Sequence, residues 1–143
     1  MTSSRLLRLT VVLLSAVFTS ASGARVIAPR EHLAAPGRES ELGFAVTCQR
    51  EDGLVAVVIS LPKTLQNTAF SFANLDLKNS FGETVLSTTV AVLEQRVRLL
   101  SAGSELQHLR LTASYWNSQV ARHDLVFEDL SRWLDRLPPD PAA

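Results

Sequence analysis

Between Phe44 and Leu61 the apolar and polar positions alternate so regularly that a hairpin can be written down by arithmetic. Phe44, Val46 and Cys48 alternate with Ala45, Thr47 and Gln49; Asp52-Gly53 follows; Val55, Val57, Ile59 and Leu61 then alternate with Ala56, Val58 and Ser60. Side chains at period two share one face of a strand, and Asp-Gly suits a two-residue turn whose central residues need positive φ. Such a turn sets Cys48 opposite Val57, Val46 opposite Ile59 and Phe44 opposite Leu61. A slip of one residue would set Cys48 against Ala56 and break the match, so the pattern specifies the register and places Cys48 in the core. Pro62 ends the second strand.

Downstream, Thr68 to Leu77 reads as a third strand. Phe70 and Phe72 share one parity and Leu75 and Leu77 the other, which predicts a β-bulge at Ala73-Asn74. Residues 78–83 read as a turn, and the β-branched run from Thr84 to Val92 as a strand. Residues 91–102 admit two readings. Leu86, Val90, Leu93, Val97 and Leu100 fall at helical spacing with Gly103 as a C-cap, whereas Val97 and Leu99 alternate with Arg96 and Arg98 as in a strand. The strand reading is preferred, and a loop at Ala102-Gly103-Ser104 then pairs Val97 with Leu109, Arg98 with His108 and Arg96 with Arg110. Leu109–Tyr115 and about His123–Phe127 are the last strands expected. Phe127, Leu130, Trp133, Leu134 and Leu137 recur as one face of a short amphipathic helix stopped by Pro138.

Short strands with turn signals at regular intervals predict one all-β domain over residues 41–137. The expected fold is a small β-sandwich with a short C-terminal helix, similar in architecture to immunoglobulin and fibronectin domains but lacking the Cys-Trp-Cys core of the former. A helix at 91–102 would make the fold α+β instead.

The amino-terminal segment has a different character. Arg5 and Arg8 precede an apolar stretch through Phe18, and the small residues Ser20-Ala21-Ser22-Gly23-Ala24 follow. This is the pattern of a secretory signal peptide, residues 1–24, and it points to a secreted or periplasmic protein. The apolar stretch is shorter than the roughly 20 residues a membrane span requires, so no stable membrane insertion is expected. Residues 25–40 read as an extended leader with a short strand at 25–28, and residues 138–143, with Pro138, Pro139 and Pro141, as a disordered tail.

Composition narrows the chemistry. Basic and acidic side chains number 14 each, so no electrostatic footprint for nucleic acid exists. One cysteine excludes an internal disulfide, and three histidines with one methionine are a poor supply of soft metal ligands. His32, His108 and His123 lack paired metal-ligand spacing, and no cofactor motif is present. His123-Asp124 and His108 could supply a base and its orienter, yet no Gly-x-Ser-x-Gly elbow presents a nucleophile, and surface histidines at strand ends are the expectation. Tyr115 and Trp116, of opposite parity, send one ring inward and leave the other for a carbohydrate or peptide platform.

The remaining candidate is basic. Arg96, Arg98, His108 and Arg110 would share one outward face in the 96–116 hairpin, and like charges opposed across a ladder would favour an acidic polysaccharide, peptide or protein. Glu94 and Glu105 lie near enough to neutralise it as an ordinary solvated face. The sequence thus predicts an exported, non-catalytic binding or adaptor domain. An assembly subunit pairing through a sheet edge comes second and a small hydrolase third.

Overall fold

In the computed structural model, which describes residues 28–117 and 121–139, the chain runs β1 (Arg30–Leu33), α1 (Glu39–Leu42), β2 (Ala45–Glu51), β3 (Leu54–Ser60), β4 (Thr64–Leu65), β5 (Thr68–Lys78), β6 (Thr84–Val90), β7 (Arg96–Ser101), β8 (Leu109–Asn117) and β9 (Ala121–Phe127), with 3₁₀ segments at Gly103–His108 and Leu130–Arg136. The fold is mostly strand, in two sheets that pack as a small sandwich. The larger sheet has the order β1-β9-β8-β5-β4 with β6 also on β5, and the smaller is β2-β3-β7. β1 runs parallel to β9, and the other strand pairs described are antiparallel.

The hairpin arithmetic holds. Cys48 stands opposite Val57 and Val46 opposite Ile59, with Asp52 and Gly53 both at positive φ in the turn. Gln66-Asn67 and Glu94-Gln95 make two more turns of this kind, again with positive φ at both positions. Inward residues of the smaller sheet (Val46, Val57, Ile59, Val97) meet Leu111, Ala113, Tyr115, Leu125 and Phe127 of the larger one in a common core. One end is closed by three rings, with Phe44 edge-on to Phe127 at 5.2 Å and to Trp133 at 6.2 Å between centroids.

Four expectations are corrected. Residues 30–33, read as part of a leader, form the parallel edge strand, because Leu33 and His32 align with Val126 and Leu125 of β9; residues 25–27 lie outside the described residues. The irregularity in β5 falls between Phe70 and Phe72, not at Ala73-Asn74. An extra residue there turns Phe70 toward Tyr115 and leaves Phe72 opposite Ser114 on the outer face.

Residues 96–101 are strand, not helix, but β7 pairs with β3 and not with β8. That choice sets Val97 on Ile59 and Leu99 on Val57, covering an edge of β3 that would otherwise be bare. The 3₁₀ segment 103–108 then carries the chain to the other sheet and buries Leu106. The C-terminal amphipathic segment is likewise 3₁₀. The Asp129 carboxylate accepts the Ser131 N–H at 2.9 Å to start it, and the buried pair Leu130 and Trp133 is spaced by three, the repeat of a 3₁₀ turn. Of the tail, residues 140–143 lie outside the described residues.

Cys48 is buried, and its Sγ–H reaches the Trp133 carbonyl at 3.4 Å. Burial pushes the thiol above its ordinary pKa, so little thiolate is present near neutrality. Native protein is expected to resist a thiol reagent and to react after denaturation, and Cys48→Ser to cost about 1–3 kcal/mol by burying a hydroxyl in an apolar place. Chemical denaturation of the variant and timed labelling of the native chain check both.

Candidate functional site

The basic face does not assemble. Arg96 and Arg98 project from the outer side of the smaller sheet, since Val97 between them is buried, and Arg98 is paired with Glu51 of β2. Arg110 projects from the outer side of the larger sheet, beside buried Leu111, and its Nη2 lies 3.4 Å from the Glu31 carboxylate. His108 ends the crossover, with Nε2 3.4 Å from Gln107 Nε2. The expected cluster therefore splits across opposite faces of the sandwich because β7 and β8 belong to different sheets.

Arg110 has other neighbours. Outward positions on β1, β9, β8 and β5 bring Glu31, Asp124, Ser114 and Phe72 into one row across four strands. Beside that row stand Asn74 opposite Thr112 and Asp76 opposite Arg110. Arg122 Nε donates to Asp124 Oδ1 at 3.2 Å, and Asn74 Nδ2 donates to Asp76 Oδ1 at 2.9 Å and to Ser87 Oγ at 2.6 Å. These side chains line a concavity of about 270 Å³.

Outer sheet faces are ordinarily wet, but here Ser114 is 1% and Asp124 4% exposed. Arg110 Nε is buried with no hydrogen-bond partner, a donor that stands unsatisfied in the protein itself. The face combines two guanidiniums with three carboxylates, so its formal charge is −1 rather than strongly positive. Trp116 lies two positions beyond Ser114 on the same strand and is 51% exposed, while Tyr115 is buried and donates its hydroxyl to the Pro62 carbonyl at 2.6 Å. Burial raises the Tyr115 pKa and keeps that hydroxyl a donor.

A larger cleft, about 690 Å³, opens where Arg50 and the Asp52-Gly53 turn approach Leu134 and Leu137. Its lining is Leu, Val and Gly apart from Arg50, so it offers less chemistry than the smaller concavity.

His123 and Asp124 are neighbours on β9 and point to opposite sides of the sheet. Asp124 is on the outer face with Arg122; His123 is inward, its Nδ1 3.0 Å from Nε2 of His32. One of those nitrogens carries the shared proton. Burial, and then the neighbouring His123, hold the His32 pKa below its usual value. Neither the sequence separation nor local spacing signals this pair, because it forms only when β1 docks beside β9. Among the described residues no group of three or more His, Cys, Asp or Glu is arranged to hold a metal ion. No helix among them is long and apolar enough to cross a membrane.

Glu31, Asp76, Asp124, Ser114 and Arg122 are absent from the basic cluster drawn from sequence. The available signal was the run of polar residues at alternate positions in 110–114 and 122–124, which needed the order β1-β9-β8-β5 to become a surface. No protein-family model matches the chain, and neither a curated protein nor a solved structure matches it.

Proposed function

We propose that the protein is an exported, non-catalytic binding module that takes a polyhydroxylated, saccharide-like ligand on the outer face of its larger sheet. The observation that carries this reading is the unsatisfied, buried Nε of Arg110 at a concavity where donors and carboxylate acceptors alternate. Hydroxyl groups donate and accept at once, so a sugar ring matches such a mixed set better than a polyanion, which would meet three carboxylates. Phe72 at the concavity and Trp116 further along supply apolar surface for the faces of sugar rings. Export is supported by the charged, apolar and small-residue order of residues 1–24.

Titration calorimetry against neutral oligosaccharides tests the reading. Arg110→Ala is expected to weaken binding at least about tenfold, in keeping with about 1.5–3 kcal/mol for a hydrogen bond to a charged group. Arg98→Ala, on the opposite face, should leave binding unchanged. Added salt should change the affinity little, whereas an acidic polymer held by the arginines would be released steeply. Equal loss in the two arginine variants, or no neutral saccharide bound, overturns the assignment.

A further inference from the structure

Natural sheets guard their free edges, and all but one of the border strands here follow that rule. β1 carries Arg30 and Glu31, β2 carries Arg50 and Glu51, β7 carries Arg96 and Arg98, and β4 is only two residues long. β6 is different. Its seven residues, Thr84 to Val90, are Thr, Val, Leu and Ser, with no charge and no proline, and β5 is the one strand it pairs with among the described residues. Its ladder to β5 shifts only near the turn, between Leu77 and Lys78, so the rest of the strand is regular. Val85 and Leu86 have opposite parity and both are 58% exposed, so both faces of β6 are open except at its end, where Val90 packs against the core.

We infer that β6 pairs antiparallel with β6 of a second copy of this chain, about a two-fold axis at Ser87, joining the two larger sheets into one. About that axis Val85 faces Thr89, Leu86 faces Thr88 and Thr84 faces Val90, so each residue of the strand meets an uncharged partner. An isologous contact needs this self-complementarity; β1, β2 and β7 would bring their own charges into the joint, and β4 is too short to form one. Apolar side chains also flank the strand. Phe81, 84% exposed, and Leu93, 76% exposed, are the two most exposed large apolar side chains described, and each lies six positions from Ser87. Phe81 stands in the turn before β6 and Leu93 in the turn after it, so each end of the joint has apolar surface that the monomer leaves in water. The β5–β6 turn holds Phe81 in place, since Asn79 Oδ1 accepts the Phe81 and Glu83 N–H groups at 2.9 and 3.0 Å. This pairing uses the backbone edge of β6 and does not depend on a bound saccharide, although the Ser87 hydroxyl touches the concavity of the larger sheet through Asn74.

Sedimentation equilibrium of the chain lacking residues 1–24, over roughly a hundredfold range of concentration, reads the outcome. A reversible monomer–dimer equilibrium is expected, and Ser87→Lys, which opposes two like charges at the axis, should weaken it at least about tenfold. Unchanged circular dichroism would show that the variant is folded. Ser87→Cys should give a covalent dimer with oxidised glutathione faster than Gln107→Cys, an exposed control on the crossover. A monomer at every concentration overturns the inference, as does a dimer indifferent to Ser87→Lys.

Discussion

Trp133→Ala is expected to destabilise the domain by about 3–5 kcal/mol, the cost of deleting a large aromatic ring from a core that cannot collapse onto the space. Trp133 is fully buried, with Phe44 at 6.2 Å and Phe127 at 5.7 Å between ring centroids. It therefore joins the C-terminal 3₁₀ segment to both sheets, and its carbonyl accepts the Cys48 thiol. Against a total stability of about 5–15 kcal/mol for a domain of this kind, the variant should unfold near ambient temperature or at low urea. Trp133→Phe should be milder than Trp133→Ala, because a phenyl ring refills most of the space while both substitutions alike remove the buried indole Nε1–H that has no acceptor. Urea denaturation of both variants, followed by circular dichroism, gives the comparison; equal losses would mean that ring volume at this position does not set stability.

Leu106→Ala should cost about 2–5 kcal/mol, although the residue belongs to neither sheet. Its side chain is fully exposed to the core and closed to water, at the middle of the crossover from β7 to β8. Removing it leaves a cavity where the two sheets are joined by chain rather than by hydrogen bonds. The two neighbouring substitutions Glu105→Ala and Gln107→Ala, both at exposed positions, should change stability by less than about 0.5 kcal/mol. Thermal denaturation of the three variants tests whether the crossover is held by this one side chain.

What could be read from sequence was local. The β2–β3 register followed from alternation and an Asp-Gly turn, because both signals act within a few residues of each other. The turns at Gln66-Asn67 and Glu94-Gln95 have the same positive φ values but lack glycine, so composition did not mark them. Assigning β7 to β3 rather than β8 required knowing that β3 had a free edge and that Leu106 could be buried on the way across. With that partner reversed, the basic cluster dissolved: Arg110 kept its outward direction but gained Glu31 and Asp76 as neighbours in place of Arg96 and Arg98. The acidic and hydroxyl members of the concavity on the larger sheet come from strands distant in sequence, and no spacing rule connects Glu31 to Asp124.

The parallel pairing of β1 with β9 also sets the order of events as the chain is made. Arg30 aligns with His123 and Leu33 with Val126, so this edge of the larger sheet has no template until nearly the whole chain has left the ribosome. The β2–β3 hairpin, closed by two residues, can form as soon as it emerges, in about 1–10 μs. Its apolar face packs in part on Leu106, Leu111 and Tyr115, and is completed only by Phe127 and Trp133, which arrive last and close the ring cluster with Phe44. At synthesis rates of about 5–20 residues per second that delay lasts seconds, far longer than the hairpin takes to close. The hairpin is thus the first part of the core able to form, and the ring cluster that closes its end the last.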